Sequence, residues 1–220
     1  SDNFGVTFGA ARQNLSKFYR SDFIGPDRFS GYIEAHIEQG IVLDNADQSI
    51  GVVNSIVGIR TENYCFSGQQ NHAGTTPMHL RHDAFQGMVS FANTINQELV
   101  KIVTPATVWT IGHAEVHPNA TSIVPGQAKF TIQWRDGDDA RLDQMREVMH
   151  KAAEKSSAEY GLTVERAGFF SFPATKIDPL LMSQISRAAQ DLAPDQWRSM
   201  PSGALHDAAP ISRRLPVAML

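Results

Sequence analysis

Disulfide bonds within the chain are excluded, because its 220 residues include only one cysteine, Cys65. This cysteine usage suits a reducing compartment, and we expect a cytoplasmic protein. No apolar run approaches the roughly 18 residues that a membrane span needs. The first residues, Ser1 to Gly5, lack the basic and apolar regions of a secretory signal. We therefore expect no membrane partner.

Basic residues are too few to form a general phosphate-binding surface. The chain has 19 Lys and Arg against 23 Asp and Glu, which gives a formal net charge of −4. A slightly acidic chain is a poor partner for nucleic acid, so we expect none. Hydrophobic residues make up 42% of the sequence, enough to build the core of a globular protein.

The pattern between Ile59 and Ala167 predicts a ferredoxin-like unit. Its order is strand, helix, strand, strand, helix, strand, which is the split βαβ arrangement of an antiparallel sheet with two helices on one face. Asp83 and Asp138 are positioned to cap the two helices. The strands are predicted at 59–67, 107–116, 129–135 and 162–167. Helical spacing predicts that the first helix buries Phe85, Met88, Ala92, Ile95, Leu99 and Ile102.

The segments on either side of this unit predict a separate, surrounding domain. We expect an α/β protein in which residues 1–57 and 169–220 form parts of one catalytic domain, with residues 58–168 inserted between them. The chain does not begin with Met and ends on Val217–Leu220, an apolar run typical of a strand. We therefore expect the sequence to be a fragment of a longer catalytic domain.

Four polar clusters carry side chains suited to chemistry. Neutral imidazole is a common metal ligand, a Gly-containing loop can present a histidine to an anion, and arginine offers a rigid fork for a carboxylate. Each cluster alone is also typical of a solvated loop or helix start. The clusters are Glu34–Gly40, Asn71–Pro77, Asn119–Pro125 with Arg135, and Pro201–Ala208.

The order of these motifs resembles a known enzyme family. His36-Ile37-Glu38-Gln39-Gly40 precedes Gly51-Val52-Val53 and Ile56-Val57-Gly58. Asn71-His72-Ala73-Gly74-Thr75-Thr76-Pro77-Met78 follows, with Arg81 and Asp83, and Ser202-Gly203-Ala204 precedes His206-Asp207-Ala208. The set is similar to the allantoate amidohydrolase, N-carbamoyl-amino-acid hydrolase and β-alanine synthase family, which belongs with the aminoacylase-like metallopeptidases. The similarity covers nearly the whole chain from about Gly31.

The resemblance implies a role for each matching residue. His36 and His206 would each ligate one ion of a pair of divalent metals, zinc or manganese. His72 would reach across a homodimer, formed through the lid domain at 58–168, and stabilise negative charge in the partner's active site. The small-molecule ureido or carbamoyl substrate would be bound by Gln39, Asn119, Ser122 and Arg135.

The implied activity is metal-dependent hydrolysis of a linear amide C–N bond. The substrate would be an N-carbamoyl amino acid or allantoate, and the products would include ammonia and carbon dioxide. The alternative is a catalytically incomplete homologue or fragment that acts only as a dimerisation or binding module. A related dipeptidase or aminoacylase is a third possibility, which the His36–Gly40 motif disfavours.

The sequence departs from the family pattern in three respects. The family's other metal ligands and its general base lie upstream of the position of His36, whereas residues 1–30 contain neither a histidine nor a Glu-Glu pair. Ser122 stands where the family usually has a second asparagine, which gives a shorter reach to the substrate. Leu205 stands where a glycine usually precedes the metal histidine, and leucine disfavours positive φ. These changes predict a divergent specificity or a reduced activity.

Overall fold

The computed structural model describes residues 4–15 and 25–220. The chain divides into two compact units, residues 1–30 and residues 31–220. The predicted catalytic part at 1–57 therefore includes residues, 1–3 and 16–24, that lie outside the described ones. Within the described ranges, no helix is both long and apolar enough to cross a membrane.

The described elements mix helices and strands throughout the larger unit. The smaller unit contributes helix α1, Phe8–Leu15, and a 3-10 turn, Pro26–Arg28. The strands of the larger unit are β1 (Tyr32–Glu34), β2 (Ile50–Ile56), β3 (Gly58–Ser67), β4 (Asn71–His72), β5 (Val108–His117), β6 (Ile123–Val124), β7 (Gln127–Asp136), β8 (Thr163–Phe172), β9 (Thr175–Lys176), β10 (Trp197–Ser202) and β11 (Val217–Met219). Its helices are α2 (Val42–Asn45), α3 (Ala84–Leu99), α4 (Asp139–Tyr160), α5 (Pro179–Leu192) and α6 (Ala208–Ile211), and a 3-10 turn spans Met78–Leu80.

Four long strands form an antiparallel sheet in the order β5-β7-β3-β8. Two helices, α3 and α4, pack against it and each other. Strand β7 alternates, so that Phe130, Ile132 and Trp134 are buried beneath the helices while the intervening side chains lie on the open face. This confirms the predicted ferredoxin-like order of strands and helices.

Helix α3 begins where the sequence predicted, and it buries a face that only partly matches the predicted one, with Ile95 and Leu99 in common. The Asp83 carboxylate accepts hydrogen bonds from the backbone N–H groups of Phe85 and Gln86, which is the geometry of an N-cap. The prediction that Phe85 is buried was wrong, because this side chain is 37% exposed. The helix is turned so that its buried residues are Ala84, Gly87, Phe91, Ile95 and Leu99.

The segments outside the four-stranded sheet pair with each other across the length of the chain. Strand β1 pairs in parallel with β11, and β2 lies between β10, in parallel, and β9, antiparallel. Strand β11 begins at Val217, as predicted for the apolar run at the end of the sequence. These elements enclose a second hydrophobic core, formed by Val53, Ile56, Ile177, Ala208, Ala209, Val217, Ala218 and Met219.

The sheet extends beyond the predicted inserted unit at its C-terminal end. Strand β8 continues to Phe172, whereas the sequence predicted a strand that ends at Ala167. The chain passes between the two cores at Val57–Gly58 and again after Phe172. The fold is a mixed α/β one, and the division at 57/58 and 168/169 stays a prediction.

Candidate active site

Two histidines that are 170 positions apart in the sequence lie against each other. The ring centroids of His36 and His206 are 4.7 Å apart, and the ring planes meet at 71°. The contact follows from the pairing of β1 with β11, since the backbone N–H of His36 donates to the carbonyl of Leu220. The loop before α6 then carries His206 to the same place. The two predicted metal ligands therefore converge.

His36 is exposed, and one of its ring nitrogens is already engaged. Its Nδ1 lies 2.7 Å from the carbonyl oxygen of Ile37, which only accepts, so Nδ1 carries the proton. The other nitrogen, Nε2, then has a free lone pair and has no hydrogen-bond partner within the described part of the chain. This is the tautomer that a metal-binding histidine adopts.

His206 is buried and is surrounded by polar groups. Its Nδ1 lies 3.6 Å from Oε1 of Glu34, and its Nε2 lies 2.6 Å from Oγ of Ser202. Glu34 is itself fixed, because its Oε2 accepts a hydrogen bond from the backbone N–H of Ala208. Burial lowers the pKa of His206 below its usual value and outweighs the opposing effect of the Glu34 carboxylate. The neutral imidazole that results is the form that binds metals.

His72 lies at the end of the short strand β4, in a loop with a defined shape. Its Nδ1 accepts hydrogen bonds from the backbone N–H groups of Gly74 and Thr75, at 3.0 and 3.2 Å. Nδ1 therefore carries no proton in the neutral ring, and Nε2–H remains as an exposed donor. Arg81 holds the loop, since its guanidinium donates to the carbonyls of Ala73 and Thr76.

Asn119 and Ser122 belong to the loop that pairs with the His72 segment. Strands β4 and β6 place His72 opposite Ile123, and the Ser122 carbonyl accepts a hydrogen bond from the backbone N–H of Ala73. Asn119 has a φ of 57°, a left-handed conformation that asparagine tolerates. Both side chains are exposed. His72 and these two substrate-binding candidates therefore form one surface group.

Arg135, near the end of β7, connects the four-stranded sheet to the loop that carries His206. Its Nη1 donates to the carbonyl of Gly203 at 2.8 Å, and its Nε and Nη2 donate to Oε1 of Gln133. Gly203 is three residues before His206. This hydrogen bond brings the predicted carboxylate-binding arginine to the loop of the predicted metal ligand.

Three further residues of the motifs have positions that the sequence left open. Gln39 is exposed next to His36 and has a φ of 56°. Glu38 accepts hydrogen bonds from the backbone N–H groups of Val42 and Leu43, so its carboxylate holds the start of α2. Leu205 is 48% exposed and is not among the described residues with positive φ, so its backbone carries none of the strain that replacing a glycine can cause.

The predicted site residues form two groups in the structure. One contains His36, Gln39, His206 and Arg135, and the other contains His72, Asn119 and Ser122. No hydrogen bond within the described ranges joins the groups. The sequence placed Glu34 and Ser202 in the motifs without a role and did not single out Gln133, and each of the three contacts a predicted site residue. The described residues include no group of three or more His, Cys, Asp and Glu side chains placed to hold one metal ion.

Known proteins with similar sequences and structures are amidohydrolases. Residues 54–161 match the family model described as the peptidase dimerisation domain. Over 86% of its length, the chain is 33% identical both to an N-carbamoyl-L-amino-acid amidohydrolase of Paenarthrobacter aurescens and to the allantoate amidohydrolase of Escherichia coli, of which it covers 45% and 46%. A solved amidase of the hydantoinase/carbamoylase family from Burkholderia phymatum matches 99% of the chain with a TM-score of 0.90 and 35% identity, and 54% of that protein is covered. The chain thus spans about half the length of these relatives.

Proposed function

We propose that this chain, which is similar to amidohydrolases of the hydantoinase/carbamoylase family, forms part of an enzyme that hydrolyses a carbamoyl or ureido amide. The substrate class is an N-carbamoyl amino acid or a ureido acid such as allantoate. Water adds to the urea carbonyl and the C–N bond to the terminal nitrogen breaks, which releases ammonia. The N-carboxyl group left on the other nitrogen is then lost as carbon dioxide, which leaves the free amine. The observation that carries the proposal is the contact between His36 and His206.

The side chains of this pair fit divalent metal ions in part. Nε2 of His36 is free to bind a metal, whereas Nε2 of His206 would have to exchange Ser202 for the ion. The Glu34 carboxylate lies 3.6 Å from the other ring nitrogen of His206, the side from which a carboxylate can orient a metal-binding histidine. Catalytic zinc sites use three protein ligands, so two imidazoles alone are too few. We therefore propose that the remaining ligands and the general base come from residues other than 31–220. Bound zinc or manganese would polarise the scissile carbonyl and lower the pKa of a bound water.

The other site residues would bind substrate and stabilise charge. Arg135 provides a cation for the substrate carboxylate, and Gln39, Asn119 and Ser122 provide hydrogen-bonding groups. The exposed Nε2–H of His72 is a donor for the oxygen on which negative charge grows during hydrolysis. We propose that it acts in the active site of a partner subunit, because His72 and the His36–His206 pair fall in separate groups and residues 54–161 match a dimerisation domain.

Ammonia release and metal content test this proposal together. We would express the longest protein that the gene encodes around these residues and assay it with N-carbamoyl-L-amino acids and with allantoate. Replacing both His36 and His206 by Ala should abolish turnover and remove bound zinc or manganese, as measured by elemental analysis. Replacing the exposed His79 by Ala is the matched control and should change neither. Absence of ammonia from both substrates in the unmutated, metal-loaded protein would exclude the proposed activity.

A second candidate function is a dimerisation module without catalysis. It is favoured by the match of residues 54–161 to the dimerisation model and by the lack of a three-ligand cluster in the described residues. Analytical ultracentrifugation of the 220-residue chain, combined with titration of zinc and manganese, separates the two. The dimerisation module would be favoured if the chain forms a dimer that binds neither zinc nor manganese, and if the gene encodes no further metal-ligating residues.

A further inference from the structure

Three side chains form a hydrogen-bonded row on the open face of the four-stranded sheet. Gln133 and Arg135 are two positions apart on β7 and therefore point to the same face, and Thr61 lies directly opposite Gln133 on β3. Oε1 of Gln133 accepts from both Nε and Nη2 of Arg135, at 3.1 and 2.7 Å. Nε2 of Gln133 donates to Oγ1 of Thr61 at 3.1 Å.

The guanidinium of Arg135, which can only donate, determines which end of the Gln133 amide faces it. If the amide turned over, its NH₂ group would face the N–H groups of the guanidinium, and two donors would oppose each other. In the observed orientation the NH₂ group is satisfied as well, because it donates to the hydroxyl oxygen of Thr61. Oε1 of Gln133 therefore accepts from the Nε and Nη2 side of the Arg135 guanidinium and fixes its orientation.

The acceptors around Arg135 are neutral, as they are around Arg81, whereas several other arginines of the same unit face carboxylates. Arg60, Arg141, Arg146 and Arg166 each lie within ion-pair distance of an Asp or Glu. In the described part of the chain, Arg135 forms no such pair and donates only to an amide oxygen and a carbonyl oxygen. Its positive charge is therefore not compensated by a neighbouring carboxylate.

The count of donors leaves room for one bidentate ligand. A guanidinium has five N–H groups, and the three hydrogen bonds to Gln133 and Gly203 leave two. Two N–H groups are what a carboxylate needs for paired hydrogen bonds. A neutral neighbour thus fixes the orientation of the arginine and preserves its charge for a ligand.

We propose that Gln133 is a positioning and specificity-determining residue for substrates that carry a carboxylate. It acts through Arg135 and does not itself contact the substrate. The proposal rests on the proposed function, in which Arg135 binds the substrate carboxylate. A carboxylate at position 133 would keep the acceptor geometry but neutralise the arginine, whereas an apolar side chain would keep the charge and lose the orientation.

The test compares two variants with ligands that differ in charge. The probes are N-carbamoyl-L-alanine and its uncharged carboxamide, and their dissociation constants are measured by NMR titration of the Arg135 Nε–H resonance, which needs no turnover. Gln133→Glu should weaken binding of the carboxylate about tenfold or more, the effect of losing roughly one charge-assisted hydrogen bond, and leave the carboxamide nearly unchanged. Gln144→Glu adds the same charge at an exposed position on α4 and should alter neither constant.

A second measurement examines the positioning of the arginine directly. In Gln133→Leu, the Nε–H of Arg135 should exchange with solvent at least several-fold faster than in the unmutated protein, with an unchanged unfolding temperature. Equal weakening of both probes by Gln133→Glu, or an Nε–H exchange rate unaffected by Gln133→Leu, would overturn the proposal. Ammonia assays on the same proteins report on the proposed function separately, because both NMR readouts persist in an inactive protein.

Discussion

At the scale of single residues, a carboxylate with several partners is buried beneath α4. Glu62, on β3, is 2% exposed. Arg146 donates to one of its oxygens at 2.6 Å, while the Tyr64 hydroxyl and Nε2 of His150 lie 2.9 Å from the other. The guanidinium of Arg146 also stacks 3.7 Å from the centroid of the Phe169 ring. Burying a carboxylate is tolerated here because several partners replace the lost water.

Removing the charge of Glu62 should destabilise the fold strongly. We expect Glu62→Ala to lower the free energy of unfolding by about 3–5 kcal/mol, since it leaves the partly buried Arg146 without its carboxylate. The matched control is Glu165→Ala on β8, an exposed glutamate of the same sheet, which should change the free energy by less than about 0.5 kcal/mol. Urea unfolding followed by tryptophan fluorescence measures both. Equal effects of the two substitutions would contradict this account.

The same site predicts a pH dependence. Burial alone raises the pKa of Glu62, but the hydrogen bonds from Arg146, His150 and Tyr64 outweigh it and lower the pKa below its usual value of 4.5. A lowered folded-state pKa contributes stability that is present above the unfolded-state pKa and is lost as the pH falls through the folded-state value. The difference in unfolding free energy between the unmutated protein and Glu62→Gln should therefore be constant just above pH 4.5 and shrink below it. If this difference in unfolding free energy grew as the pH fell, the pKa of Glu62 would not be lowered by folding.

Only part of the candidate site was accessible from the sequence at this scale. His36 and His206 were found because their motifs resemble a known family. Glu34 was noticed only as a member of the same polar cluster and Gln133 was not noticed, because their roles depend on contacts that the strand pairing creates. Glu34 meets His206 only after β1 pairs with β11, and Gln133 meets Thr61 only in the register of β3 with β7. Such contacts have no local signal in the sequence.

At the scale of secondary structure elements, α3 shows why periodicity predicts a helix better than its orientation. The sequence has apolar residues on more than one side of this helix, so two faces compete for burial. The observed face places Phe91 among Tyr64, Phe66 and Phe130, with ring centroids 5.1 to 6.2 Å away. The contacts of Phe91 with the aromatic side chains of the sheet favour the observed orientation of α3. These partners lie in other elements, so the sequence of the helix alone does not show them.

A pair of substitutions tests this orientation. Phe91→Ala should lower the free energy of unfolding by about 3–5 kcal/mol, because it opens a cavity in the core. Phe85→Ala, in the same helix and of the same type, should cost less than about 1 kcal/mol because this side chain is partly exposed. Thermal and urea unfolding of both variants provides the measurement. A larger loss of stability in Phe85→Ala than in Phe91→Ala would show that Phe85 is buried, as the sequence predicted.

At the scale of the whole molecule, two hydrophobic cores share one compact unit. The first lies between the four-stranded sheet and its helices, and the second lies between α5, α6 and the smaller sheets. Hydrogen bonds and an ion pair fix the chain where it leaves the four-stranded sheet for the second core. Arg60 donates to the carbonyl of Phe172 and pairs with Asp139, whose carboxylate also accepts from the backbone N–H of Ala174. Contacts place residues 31–220 in a single compact unit, and the predicted inserted domain at residues 58–168 stays a prediction.

Hydrogen exchange and limited proteolysis decide whether the two cores unfold independently. The central strands β3 and β7 are paired on both sides and lie against two long helices, so their amides should be the most protected. Amides of β1 and β11, a sheet of only two strands, should exchange at least tenfold faster. Proteolysis should leave a fragment from near Gly58 to beyond Phe172, because the Arg60 and Asp139 contacts extend the unit past residue 168. Limited proteolysis should no longer yield this fragment in Phe91→Ala but should still yield it in Phe85→Ala. Uniform amide protection from residue 31 to 220 in hydrogen exchange would show that the two cores unfold together.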